Sequence, residues 1–148
     1  MIEGKLIYMI LALVAGIAVT VQSPVNSALG KVLGVEVATF WTFLAGTVVI
    51  AIYFLIKGIK LPSIETLKTV PLWCFMGAFL GLIFVTLLIV IIPHLGAGTA
   101  TVLIILSQII TALILDHFGL VGLKVKSFTF IKLIGVFLMT GGVLLISK

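Results

Sequence analysis

The sequence predicts an all-α integral membrane protein with five transmembrane helices, and three observations carry that prediction. Of its 148 residues 63% are hydrophobic and only 9% charged, where a soluble domain holds about 25% charged residues. The mean hydropathy is +1.51, and the few charges gather in short clusters. Between the clusters lie apolar runs close to the ~20 residues that a helix needs to cross ~30 Å of hydrocarbon.

The spans fall at about 5–29, 35–56, 70–92, 96–115 and 127–147, forming one transmembrane domain over 1–148. In the first, the almost unbroken apolar run from Leu6 to Val21 covers only 16 residues, about 24 Å of helix. Extending it to Leu29 gives ample length even with tilt and places Gln22, Ser23, Pro24 and Asn26 inside the helix. Pro24 frees a backbone carbonyl one turn earlier, around Thr20, and bends the chain. A cleaved signal peptide is the weaker reading. Glu3 sits beside Lys5 in the charged region, and the run stays apolar past the small residues at 15–18.

Glu36 opens the second span, where an acid suits the helix dipole, and Lys57 closes it. The stretch from Lys57 to Lys68 holds a short surface helix with Ser63 as its N-cap. The third span starts after Lys68 with Pro71 in its first turn, where no amide partner is lost. Pro93-His94-Leu95-Gly96 makes a tight turn into the fourth, which ends at Asp116-His117-Phe118-Gly119.

Five spans put the termini on opposite sides. Lys5, Lys57, Lys60, Lys68, Lys124, Lys126 and Lys132 lie on the N-terminal side, and Lys31 and Lys148 on the other. Seven lysines against two place the N-terminus in the cytoplasm and the C-terminus outside. Tyr8, Tyr53 and Trp73 near the inner interface and Trp41 near the outer one agree. The net charge of +5 therefore reads as topology, since the lysines are spread among short loops, and no nucleic acid partner is expected.

The polar residues inside the spans are the candidates for function. Gln22 and Asn26 share a face of the first helix with Ala15 and Ala18, and Ser23 lies beside them. Thr101, Gln108 and Thr111 share a face of the fourth, flanked by Ser107. These seven form the candidate substrate pathway. The plainer alternative is that they hydrogen-bond neighbouring helices, at about 0.6 kcal/mol each, or their own backbone. Asp116, the acid nearest the apolar region, is either a coupling group or an interfacial cap. No acid lies at mid-membrane. Leu95-Gly-Ala-Gly-Thr-Ala100 lacks the Gly-Lys-Ser/Thr of a phosphate loop and reads as close helix packing. One cysteine, Cys74, excludes an internal disulfide and a zinc framework. There is no HExxH or GxSxG and no clustered His, Cys and carboxylate, so neither an enzyme, a metal nor a cofactor is expected.

Gly77 and Gly81 form a GxxxG pair, a device for close helix approach. Gly135 and Gly142 lie two turns apart on one face, followed by Val143. That last stretch is similar to the dimerisation helix of small multidrug resistance transporters. The chain as a whole resembles the YdcZ-like family of the drug/metabolite transporter superfamily. The resembling segments are QSPVNSALGKVLG (22–34), FWTFLAGT (40–47), FMGAFLGLIFV (75–85), PHLGAGTATVLIILSQ (93–108) and DHFGL (116–120), which together with that last stretch touch all five spans.

The resemblance implies one inverted-repeat half of a ten-helix transporter, completed by an oppositely inserted chain. The small multidrug resistance relatives carry a first-helix glutamate for proton coupling. This chain has none there, so that mechanism does not transfer. The expected function is a subunit of a secondary active transporter, working as an antiparallel dimer that moves a small polar or amphipathic solute by alternating access. The lysine bias favours pairing with an inverted homologue over a homodimer of mixed orientation. A passive channel and a non-transporting membrane subunit are the alternatives.

Overall fold

Apolar patterning becomes helix throughout the computed structural model, which describes residues 2–148, with side chains from Lys5 onward. The helices are α1 (Ile2–Leu33), α2 (Val35–Lys57), α3 (Ile64–Lys68), α4 (Met76–Phe118) and α5 (Phe130–Ile146). Short 3₁₀ turns occupy Leu72–Phe75 and Leu120–Gly122, and no strand occurs among the described residues. Three apolar stretches are long enough to cross a membrane: Lys5–Leu33, Val35–Lys57 and Leu72–Phe118. Phe130–Ile146 is shorter. The protein is an all-α membrane protein.

At 43 residues, α4 would run about 64 Å at 1.5 Å per residue, twice the hydrocarbon thickness. It is not one straight helix. Gly96 leaves the helical region, with φ 76° and ψ 158°, and divides α4 into two parts of about 30 Å each. The expected four-residue turn over 93–96 is thus one residue long, because Pro93, His94 and Leu95 remain helical. The same device joins α1 to α2, where Gly34 alone, at φ 86° and ψ 160°, separates two helices. Only glycine adopts this region at ordinary cost.

The shorter elements follow their local chemistry. The Ser63 hydroxyl caps α3 by accepting the Thr66 amide at 3.2 Å. Pro71 lies just before the 3₁₀ turn rather than inside a helix, as its N-cap. The last helix starts at Phe130, three residues later than expected. Residues ahead of it are held to the end of α4, with the Lys126 amide donating to the Asp116 carbonyl at 2.8 Å and the Phe128 amide to His117 Nδ1 at 3.2 Å. Amides committed to α4 leave the segment extended, as Thr129 shows at φ −116° and ψ 151°.

Two compact units divide the chain, Met1–His94 and Leu95–Lys148. In the first, Ala38, Val85 and Ile89 form a buried core, with Leu29, Val35 and Phe84 packed around it. Gly30 is its tightest point. A Cβ there would collide with Ile89 Cγ2, so α1 and the first part of α4 approach as closely as they do only because residue 30 has no side chain. In the second unit, Ala100 and Val143 are buried. Residues 5–22 of α1 are all exposed, with Leu13 and Ile17 at 70% and 65%. Lipid or another chain must cover them.

Gly30→Ala should lower stability by about 1–3 kcal/mol, the usual effect of overpacking, as read by unfolding of the purified protein in mixed detergent. Ile89→Ala alone should also destabilise, and the pair together should cost less than the sum of the two. Strict additivity would show that the two residues do not meet.

Candidate functional site

The apolar first helix turns polar at Gln22, and the structure sorts its polar residues by burial. Ser23, Asn26 and Ser27 are buried. With Gly30 they follow the three- and four-residue steps of one face. Gln22 lies on the flank of that face and is exposed. α2 answers with Thr39, buried, and Thr42, half-buried; the first part of α4 answers with Thr86. A polar seam therefore runs through the packing of α1, α2 and α4 in the first unit.

Helical geometry gives each hydroxyl a ready acceptor, the carbonyl four residues back. Ser23 Oγ donates to Val19 O at 2.8 Å, Thr39 Oγ1 to Val35 O at 2.9 Å and Thr86 Oγ1 to Leu82 O at 2.8 Å. Thr39 and Thr86 also face each other at 3.2 Å. Each has one hydrogen and a backbone acceptor for it, so the pair bonds across the helices only when one hydroxyl turns away from its carbonyl. Thr42 Oγ1 lies 2.9 Å from Ala38 O and 3.2 Å from Asn26 Oδ1. One hydrogen serves one of these acceptors well. Turning the Asn26 amide over, a choice hydrogen-bond logic decides, lets Nδ2 donate to Thr42 Oγ1 while the hydroxyl keeps Ala38.

Beside the seam is an open cleft of about 480 Å³ lined by Gln22, Thr42, Phe43, Gly46, Thr47, Ile50, Gly81, Phe84 and Val85. None of these side chains is charged. Gln22 offers two donors and an acceptor. Thr47 donates to its own helix, at 2.8 Å from Phe43 O, and keeps lone pairs for another donor. Gly46 and Gly81 give the cleft its width. A Cβ at Gly46 would meet nothing within 4 Å, and one at Gly81 would touch Phe43 Cζ at 3.7 Å, an ordinary contact. The arrangement suits a molecule with an apolar body and a few hydrogen-bonding groups.

The remaining candidates fall elsewhere. Thr101, Ser107, Gln108 and Thr111 belong to the second unit. Thr101 is half-buried; Ser107, Gln108 and Thr111 are exposed. Ser107 donates to Ile104 O at 2.8 Å, which satisfies it locally. Asp116 is half-buried near the end of α4, beside the exposed His117. Gly77 has open space where a Cβ would go, as do Gly135 and Gly142. Gly142 also lines a groove of about 170 Å³ with Val102, Ile105, Met139, Val143 and Ile146. No cluster of His, Cys, Asp and Glu able to hold a metal occurs among the described residues.

Thr39, Thr42, Thr86, Ser27 and Gly30 are additions that the sequence did not single out. A signal for the α1 members was present: Ser23 and Ser27 stand four apart, with Gly30 three further on, a small-residue stripe of the kind that marks helix contacts.

The Asn26–Thr42 contact should show a coupling of about 0.6 kcal/mol in a double-mutant cycle of Asn26→Ala and Thr42→Val, the mean for polar pairs in membranes. The cycle is read by unfolding in mixed detergent. Zero coupling would mean that the amide serves a different partner.

The family model described as "Putative inner membrane exporter, YdcZ" matches residues 7–145. No curated protein and no solved structure matches the chain.

Proposed function

The chain belongs to the YdcZ family, and from that premise we propose that it is one subunit of a small secondary exporter of the inner membrane. It crosses the membrane five times and works as an antiparallel dimer around a site near the membrane centre. The observation that carries this reading is the exposed Gln22 side chain among the residues lining the 480 Å³ cleft. An amide on an apolar helix is unfavourable in lipid unless it has a partner or a task. The buried neighbours Ser23 and Asn26 have partners; Gln22 faces open space.

The solute is uncharged and polar, or amphipathic. Phe43, Ile50, Phe84 and Val85 receive its apolar part, and Gln22, Thr42 and Thr47 its polar part. No lining side chain titrates near neutral pH, so the cleft itself carries no proton. Asp116 is the acid best placed to couple transport to an ion. Gln108 and Thr111, exposed on the second unit, are the solute-contacting residues proposed for that unit by itself. Gly77, Gly135 and Gly142, with room at their Cβ positions, serve contact with the inverted chain, which is a homologue or a second copy.

The test works before the solute has been identified. Solutes in the medium are compared among cells expressing the native chain with its partner, cells expressing the Gln22→Ala chain, and cells lacking it. The native chain should raise at least one solute, and Gln22→Ala should cut that export about fivefold, the effect of one hydrogen bond worth about 1 kcal/mol. Gly46→Leu should block export while leaving the protein folded. Undiminished export by both variants would remove the cleft from the pathway.

A further inference from the structure

A second concavity shares no lining residue with the cleft, and its chemistry differs. It is a groove of about 200 Å³ whose lining includes Ser27, Lys31, Val35 and His94. Ser27 is 2% exposed, and its Oγ has no hydrogen-bond partner. Its neighbours in the seam bond the carbonyl four residues back; this hydroxyl does not. A buried, unpaired hydroxyl is unfavourable by itself; Ser27 is among the residues lining the groove, and rotation of its enclosed hydroxyl about χ1 toward that space would give it a partner there.

The other groups fit one kind of ligand. Lys31 lies one turn beyond Ser27 on the same face of α1. His94 comes from the end of the first part of α4 and supplies an N–H in either protonation state. Val35 is the first residue of α2, a 23-residue helix whose N-cap, Gly34, offers no side-chain acceptor to the leading amides. Those amides are free donors at the positive end of the helix dipole. Glu36 lies in that first turn but is not among the groove's lining residues. Residues that carry a hydroxyl, an ammonium and an imidazole, together with the first residue of α2, drawn from three helices, line one small groove. A tetrahedral anion with several acceptor oxygens answers donors from several directions better than a planar carboxylate does.

We propose that this groove binds a phosphate group, carried either by a free solute or by a phospholipid head group. Gly30 keeps the floor of the groove low, because any side chain there would run into Ile89. The site is separate from the uncharged cleft at Gln22 and does not depend on the transport reading.

The test is binding, with no transport readout. The purified protein in dodecyl maltoside, which carries no phosphate, is labelled at its histidine rings and followed by NMR. His94 is assigned by comparison with a His117→Gln variant. Inorganic phosphate is titrated in one arm and dihexanoyl phosphatidylglycerol, kept monomeric, in the other. The proposal expects a saturable shift of His94 with His117 unmoved, and about tenfold or more weaker binding in Lys31→Gln, from loss of a charge-assisted bond. Saturation by phosphate identifies a site for a free solute; saturation by the lipid alone identifies a head-group site. Ser27→Ala should weaken the binding further, and Lys31→Gln, altering an exposed side chain, keeps the test valid if that variant misfolds. No saturable shift in either arm, or equal affinity in Lys31→Gln, overturns the proposal.

Discussion

Hydrocarbon offers no hydrogen bonds, so every polar group carried into it must find its partner within protein. The seam between α1, α2 and the first part of α4 is organised by that constraint. Ser23, Thr39 and Thr86 satisfy themselves on their own helices, which leaves their faces small and able to pack. Gly30 then lets Ile89 approach α1 directly. Asn26, too large and polar to be satisfied by its own backbone, needs Thr42 of the next helix and so links α1 to α2. The buried core of the first unit is small. Hydrophobic burial between helices adds little in a membrane, because lipid is as apolar as leucine. Close fit and satisfied polar groups carry the association instead.

Two residues escape the pattern, and each is among the residues that line a concavity. Gln22 sits on the flank of that face and lines the cleft with Gly46 and Gly81. Ser27 is enclosed but unpaired, where α1, α2 and α4 leave a groove near Lys31 and His94. The first unit thus presents an uncharged cleft and a basic groove with no lining residue in common. The two differ in chemistry, since no side chain lining the cleft is charged while Lys31 and the α2 N-terminus bring positive charge to the groove.

Much of this architecture is legible in the sequence because lipid imposes a coarse rule: apolar runs of span length with polar breaks. Gln22, Ser23 and Asn26 can be placed inside the first helix because 16 apolar residues are too few to cross. The break before the fourth span is legible from Pro93 and Gly96, though the proline suggests a longer turn than the one that forms; the helix tolerates Pro93 and yields only at glycine. Gly34 carries the same signal, but within a stretch that the span boundaries leave as a loop. The threonines of α2 and α4 are not legible, because a threonine in a membrane helix usually satisfies itself, and only the packing shows that Thr39, Thr42 and Thr86 meet polar partners. Ser27 is hidden for the same reason. The late start of α5 depends on His117 and Asp116 holding a segment about ten residues away, a contact no local pattern announces.

The central claim is that the Gln22 cleft is wet. The direct measurement places a cysteine there, Gln22→Cys in a Cys74→Ser background, since Cys74 is the chain's single cysteine and is exposed. The variant is reconstituted with lipid and treated with a charged maleimide present on both sides of the membrane. Ile17→Cys, on the exposed apolar stretch of the same helix, is the control. Thiols react as thiolates, which require water. The account predicts labelling of the Gln22→Cys chain while the Ile17→Cys chain stays unlabelled. If both resist labelling, Gln22 faces lipid or packed protein, and the cleft is not a pathway.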